Sequence, residues 1–266
     1  MPGGQLPGHA LLAAGAALVL LLMSPSVAPA QPQSDAAPGP APRPALISQA
    51  LESGAAVSAQ AWAFTQSLSS DGNEVLLRYD PREPGEAWTL LSPSPETASK
   101  EVIRLFEGVR DAKRGSELLG YENLSTVLGN DVTLVREEAE AMVYRFQPTA
   151  PPKGQPRGRA AGFLEKLHGE LTVRQTGAGA EGTRPWIRTV RLFSPEPFKP
   201  NFSARIASFE QTATYDLRDG LPLLTESRTA VSGSALFRDF EESVTVRIIE
   251  AEPLAPPARN DSVQIP

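Results

Sequence analysis

Alternating apolar and polar positions dominate the chain after about residue 60 and predict β-strands. In the segment 73–79, for example, Val75, Leu77 and Tyr79 share one phase of a period-two pattern, and the turn sequence SSDG separates them from 62–68. Similar segments lie at 86–92, 131–138, 141–147, 170–176 and 185–193, and longer ones at 203–217, 222–233 and 235–249. Because short turns such as Asp219-Gly220 join most of them, the pattern predicts a meander of eight or nine antiparallel strands.

Helical periodicity is confined to a few segments. The strongest is 94–115, where Ser94 is the predicted N-cap, Val102, Phe106 and Val109 form an apolar stripe, and Gly115 ends the helix. Weaker helical patterns occupy 45–53, 117–129 and 160–169. The sequence therefore predicts an α+β fold: a curved antiparallel sheet or incomplete β-barrel, with two or three helices lidding one face.

Composition divides the chain into four regions. Residues 1–30 contain an apolar run, 10–23, and the small-x-small site Ala28-Pro29-Ala30, which indicate a cleaved signal peptide, with an uncleaved anchor as the alternative. Proline-rich and alanine-rich residues 31–44 predict a disordered linker, and 255–266 predict a disordered tail. A single domain with helical insertions is expected over 45–254. The predicted location is the periplasm, or the medium if the protein is secreted.

The charge and the absence of cysteine exclude several classes of function. The chain has no cysteine, so it has no disulfide, no thiolate metal site and no cysteine nucleophile. Its net charge of −6 argues against general nucleic-acid binding and gives no overall attraction to anionic lipid.

Candidate catalytic chemistry is sparse. His168 is the one histidine after the predicted signal peptide, and the chain has no G-x-S-x-G nucleophile motif, so a hydrolase using His168 is kept only as an alternative. The acidic run with Glu137, Glu138 and Glu140 falls between two strands and indicates a solvated turn. We predict no catalytic residue, no cofactor and no metal site, and we favour a protein that is not an enzyme.

The segment 202–217 carries apolar residues in two phases. Phe202, Ala204 and Ile206 are in one phase, whereas Phe209, Ala213, Tyr215 and Leu217 are in the other. Either a β-bulge near Ser208 switches the phase over a filled core, or the sheet lines a cavity whose apolar walls suit acyl chains. The candidate ligand-binding residues are Phe198, Phe202, Ile206, Phe209 and Tyr215.

Three prolines interrupt the chain just before this segment. Pro195, Pro197 and Pro200 have no backbone N–H, and a central strand uses its N–H groups to pair with neighbouring strands on both sides. The segment SPEPFKPNF (194–202) therefore cannot be a central strand. We interpret it as a stiff connection between two strands. Phe198 then either plugs one end of the core or, with Phe202, stands at the mouth of a cavity.

The order of these elements resembles the outer-membrane lipoprotein-sorting carrier superfamily, the LolA/LolB-like fold. RYDPREPGEAWTLLS (78–92) with the helix after it, and KLHGELTV (166–173) through PEPFKPNFSARIASFEQTATYD (195–216), are also similar to a group of exported bacterial proteins with no known catalytic motif. The resemblance implies an incomplete antiparallel barrel, with helices over an apolar cavity that takes acyl chains. Without a cysteine to carry lipid, the chain is more similar to the soluble carrier than to the lipid-anchored receptor.

The functional prediction is a soluble periplasmic protein that binds a lipid or an acylated, lipoprotein-like partner without catalysis. A cell-envelope module with a filled core that docks another protein is the second possibility. A nucleic-acid partner and a transmembrane anchor after signal cleavage are not expected.

Overall fold

The computed structural model of the protein describes residues 44–254, except 71, 84–85, 112–114, 122–123, 129–130, 150–158, 176–183 and 237. The predicted signal peptide, the linker up to residue 43 and the tail 255–266 lie outside the described residues. None of the described helices is long and apolar enough to cross a membrane.

Within the described residues, eleven strands form one antiparallel sheet whose order is β3-β2-β1-β11-β10-β9-β7-β6-β5-β4, with β8 paired to β9. The strands are β1 Trp62–Ser70, β2 Asn73–Tyr79, β3 Trp88–Ser92, β4 Val132–Glu138, β5 Ala141–Phe146, β6 His168–Arg174, β7 Trp186–Phe193, β8 Phe198–Asn201, β9 Ala204–Arg218, β10 Leu221–Ala235 and β11 Arg238–Pro253. The sheet is open, with β3 and β4 at its edges. The predicted α+β fold with a curved antiparallel sheet is confirmed.

Four α-helices and one 3-10 turn accompany the described part of the sheet: α1 Ala45–Ser58, α2 Lys100–Asp111, the 3-10 turn Ser116–Leu119, α3 Leu124–Val127 and α4 Arg159–Leu164. Helix α1 packs against β6, β7 and β10, and α2 lies against β2. We call the face of the sheet that α1 covers the inner face. At Gly54 of α1 an added Cβ would overlap the Tyr121 ring, so glycine permits this close approach.

The strongest predicted helix begins later than its sequence suggested. Ser94 and Thr97 form a separate turn, in which the Thr97 N–H donates to the Ser94 carbonyl. The N-cap of α2 is Ser99, whose Oγ accepts a hydrogen bond from the Val102 N–H at 3.2 Å. The prediction of Ser94 as N-cap is therefore wrong, because a second serine closer to the apolar stripe caps the helix.

The proline-rich segment is more regular than a connection. Its second half forms β8, so β7 and β8 run one after the other along the same edge of β9. Ser194 bridges them: its N–H donates to the Phe209 carbonyl at 2.9 Å, and its Oγ accepts from the Phe209 N–H at 3.0 Å. Our interpretation as a plain connection is corrected, because 198–201 form a strand and only 194–197 and Phe202 lie outside it.

Candidate functional site

The phase change on β9 comes from a β-bulge. Ser208 pairs with Ser232 and Ile206 pairs with Gly233, so Ala207 has no partner on β10. The bulge brings Ile206 onto the same face as Phe209 and Tyr215, and all three are buried there, at 8%, 2% and 3% exposed. Of the two explanations for the phase change, the structure shows the bulge near Ser208, and the inner face of β9 is apolar along most of its length.

The two other predicted ligand residues have different surroundings. Phe198 is partly buried against the core, with its ring centroid 5.1 Å from that of Phe163, which lies 5.1 Å from that of Phe209. Phe202, by contrast, is fully exposed in the turn between β8 and β9. The structure thus joins Phe198 and Phe209 through α4 and separates Phe202 from them.

A pair of tyrosines closes the other end of this face. The rings of Tyr121 and Tyr215 meet edge to face at 5.0 Å, and the Tyr121 hydroxyl donates to the Ala50 carbonyl of α1 at 2.7 Å. Burial raises the pKa of both tyrosines, so both stay neutral at physiological pH. Tyr121 therefore connects Tyr215 on the sheet to α1.

Between these aromatic ends lies a set of buried polar side chains that the sequence analysis missed. Gln211 on β9 pairs with Thr229 on β10, Thr229 pairs with Val244 on β11, and Val244 pairs with Ser70 on β1. Ser227 lies two residues from Thr229 on the same face. We call Gln211, Ser227, Thr229 and Ser70 the buried polar row. Each is at most 5% exposed, and Gln211 Oε1 and the three hydroxyl oxygens have no hydrogen-bond partner among the described residues.

A signal for this row is present in the sequence. Gln211 falls in the inward phase of β9, two residues after Phe209 and two before Ala213, where an apolar residue is expected. Gln211 is therefore the one position in this phase between Phe209 and Tyr215 that departs from the apolar pattern.

Charged side chains lie on the opposite, outer face. Arg191 donates to Glu210 at 2.9 Å, and this hydrogen bond lowers the pKa of the Glu210 carboxyl. Arg247 donates to Glu226 at 2.7 Å. The buried polar row, on the inner face, therefore contains only neutral side chains.

A separate open cavity of about 530 Å³ lies at the end of the sheet near the turn between β10 and β11. Its lining is mixed in character and contains Arg205, Ala207, Ser232, Gly233, Ser234, Asp239, Phe240 and Glu241. The small residues allow close approach to the backbone, but charges of both signs surround them.

The one histidine among the described residues has an ordinary setting. His168 begins β6 and pairs with Phe193, whose ring centroid lies 6.0 Å from that of the histidine. Within the described ranges, no hydrogen bond joins its ring to a serine or a carboxylate. No group of three or more His, Asp or Glu in the described part of the chain could hold a metal ion.

Comparison of the chain with known proteins gives no further assignment: no protein family, no curated protein and no solved structure matches it. What is established is the class of fold, an open antiparallel sheet with helices. The likeness to lipoprotein-sorting carriers stays a prediction.

Proposed function

We propose that the protein is a soluble periplasmic protein that binds the acyl chain of a lipid or of an acylated partner, without catalysing a reaction. The ligand would lie against the inner face of β9 and β10. Phe198, Ile206, Phe209 and Tyr215 are the predicted ligand residues with side chains at or near this face.

One observation supports this proposal: the inner face is apolar over several strands, but its side chains are not all equally buried. Phe209 and Ile206 are buried, whereas Val231, opposite Phe209, and Val246, opposite Ser227, are only partly buried although both face inward. An apolar surface of this kind favours long hydrocarbon groups, because each buried CH₂ contributes about 0.8 kcal/mol.

Extraction of the purified full-length protein tests the proposal. The protein would be produced in a Gram-negative host, isolated from the periplasm without detergent, extracted with organic solvent and examined by mass spectrometry. We expect a lipid or an acylated molecule at a stoichiometry near one. Protein that carries no lipid, and that binds no fluorescent fatty acid afterwards, would contradict the proposal.

A second candidate function, docking of another envelope protein, has its own supporting observation. Two neighbouring turns present large apolar side chains to solvent: Phe202 is fully exposed and Leu236 is 74% exposed. The Leu236 N–H donates to the Ser203 carbonyl at 3.0 Å, which holds the turns together, and Leu236 adopts an unusual φ of 48°.

Affinity purification distinguishes this second candidate from lipid binding. A stoichiometric partner should be recovered by the full-length protein and lost in the variant Phe202→Ser/Leu236→Ser. The control is Ile249→Ser, which replaces an exposed apolar residue elsewhere, at 51% exposure. Equal recovery with all variants would contradict a role for these turns.

A further inference from the structure

Buried polar atoms without partners are rare in folded proteins, because each such atom loses its hydrogen bonds to water and gains nothing in return. Four of the six such side-chain atoms in the described residues belong to the buried polar row; the other two are Ser58 Oγ and Trp186 Nε1. Trp186 lies away from the row: it begins β7, six residues before Leu192, which is the partner of Gln211 on that strand. Most of the unpaired polarity of the described core is thus gathered in one place.

Strand pairing fixes how close these atoms can be. Gln211 and Thr229 are direct neighbours on adjacent strands, about 5 Å apart at Cβ, and Ser227 follows Thr229 at about 7 Å along β10. Ser70 lies two strands from Thr229, at about 10 Å. A single group of a few heavy atoms can reach Gln211, Thr229 and Ser227 together.

The chemistry of the row selects the kind of group that it can hold. Gln211 Oε1 only accepts hydrogen bonds, so its partner must bring an N–H or O–H, whereas the serine and threonine hydroxyls can donate or accept. No charged side chain shares the row, and a carboxylate placed there would be buried without a cation. The best fit is a neutral group with both a donor and an acceptor.

We propose that Gln211, Ser227 and Thr229, with Ser70 at the margin, form a subsite for the neutral amide or hydroxyl group of an acyl ligand. The amide N–H or hydroxyl O–H donates to Gln211 Oε1, and the ligand oxygen accepts from Thr229 or Ser227. This inference rests on the proposed acyl-binding function, and it specifies the chemical group that adjoins the acyl chain of the ligand.

Two ligands of matched chain length test the subsite in the full-length protein. Dodecanamide has a donor and an acceptor, whereas methyl dodecanoate has acceptors only. Displacement of a neutral fluorescent fatty-acid ester should show the amide binding about two- to tenfold more tightly, as expected for one additional hydrogen bond. Gln211→Leu should remove this preference, because only the amide has a donor for Gln211 Oε1. Thr229→Val should weaken both ligands, because the oxygen of each accepts from this hydroxyl.

A second measurement on ligand-free protein separates the subsite from the acyl site. Thr229→Val replaces an unpaired buried hydroxyl by a methyl group, so the midpoint of thermal unfolding should stay unchanged or rise. The matched control is Thr225→Val on the same strand, which removes a hydrogen bond from Thr225 Oγ1 to the Thr214 carbonyl at 3.0 Å and should lower the midpoint.

The outcomes are distinguishable. Equal affinity for amide and ester, unaffected by Thr229→Val, would overturn the subsite while leaving acyl binding in place. A fall in midpoint for Thr229→Val as large as that for Thr225→Val would show that the hydroxyl already has a partner, such as a trapped water, and would also overturn it. Failure of every probe to bind would refute the acyl-binding function, and the subsite with it.

Discussion

Phe209 and Phe202 lie seven residues apart around one hairpin, and the difference in their burial separates two roles that their sequence positions do not. Phe209 is 2% exposed and contacts Phe163, whereas Phe202 stands in a turn and is fully exposed. Both were candidates for the same binding surface. Counting back from Ile206 in steps of two puts Phe202 on the same face of the strand. Phe202 lies in the turn before β9, however, and a turn residue does not follow the alternation of either strand.

Truncation of these two phenylalanines should give opposite results for stability. Phe209→Ala removes a buried ring and leaves a cavity, so we expect the free energy of unfolding to fall by about 3–5 kcal/mol. Phe202→Ala should change it by less than about 0.5 kcal/mol, because the ring contacts little. Urea unfolding followed by circular dichroism measures both, and similar values for the two variants would contradict the assigned burial.

Asp80 supplies a prediction for acid stability. Its carboxylate accepts hydrogen bonds from the Arg82 side chain at 2.9 and 2.7 Å, and this contact holds the pKa of Asp80 well below its usual range. The folded-state pKa is lower than the unfolded value of about 3.9. The associated stability is therefore complete above about pH 4 and is lost as the pH falls towards the folded-state pKa.

Replacement of Asp80 by Asn should remove this pH dependence. The variant should be less stable than the natural protein at pH 7 and should lose less stability between about pH 4 and pH 2. Arg82→Met should flatten the acid limb in the same way, because it removes the other partner. An acid limb as steep in both variants as in the natural protein would refute the pairing.

At the scale of elements, helix α2 shows where local rules needed tertiary information. The sequence contains two serines that could cap the helix, and the apolar stripe of Val102 and Val109 is compatible with either. Ser99 caps the helix because the chain between 94 and 98 forms its own turn after β3.

The two serines should differ when each is replaced. Ser99→Ala removes the bond to the Val102 N–H and should lower the free energy of unfolding by about 1 kcal/mol. Ser94→Ala removes an exposed contact between Ser94 Oγ and Thr97 Oγ1 and should cost less. If chemical denaturation shows the larger loss for Ser94→Ala, the helix starts where the sequence first suggested.

At the scale of the whole molecule, β1 pairs with β11 from Trp62 opposite Pro253 to Ser70 opposite Val244, which joins the first and last parts of the domain. The buried apolar residues form one continuous cluster across the sheet. Trp62 and Trp88 belong to the first strands, whereas Trp186 belongs to β7.

Because the pairing of β1 with β11 joins the two ends of the domain over one continuous core, we expect a single cooperative unfolding transition. Tryptophan fluorescence of a Trp186→Phe variant reports on the first strands, and that of a Trp62→Phe/Trp88→Phe variant reports on β7. In each variant, the unfolding midpoint from fluorescence should equal the midpoint from far-ultraviolet circular dichroism. Two separated transitions would show that the first three strands form an independent unit.

Sequence patterns predicted most of the strands and the antiparallel fold, since alternation and turn residues are local properties. They did not predict that β1 pairs with β11, because that contact joins residues almost 200 positions apart. Of the candidate site, alternation predicted the inward-facing apolar residues of β9, and the bulge was one of two explanations for their change of phase. The buried polar row was missed because its members lie on three strands: Gln211 alone departs visibly from an apolar phase, and the other members join it only once the register is known.

The most direct test of acyl binding is titration of a fluorescent fatty acid into delipidated full-length protein, compared with a variant that narrows the inner face. Val231→Trp places a bulky side chain beside Phe209, at a position that is only partly buried. Ile249→Trp, at an exposed site, is the control. We expect saturable binding to the natural protein, at least tenfold weaker binding to Val231→Trp, and unchanged binding to Ile249→Trp. The absence of saturable binding to the natural protein, or equal binding by all three proteins, would contradict this expectation.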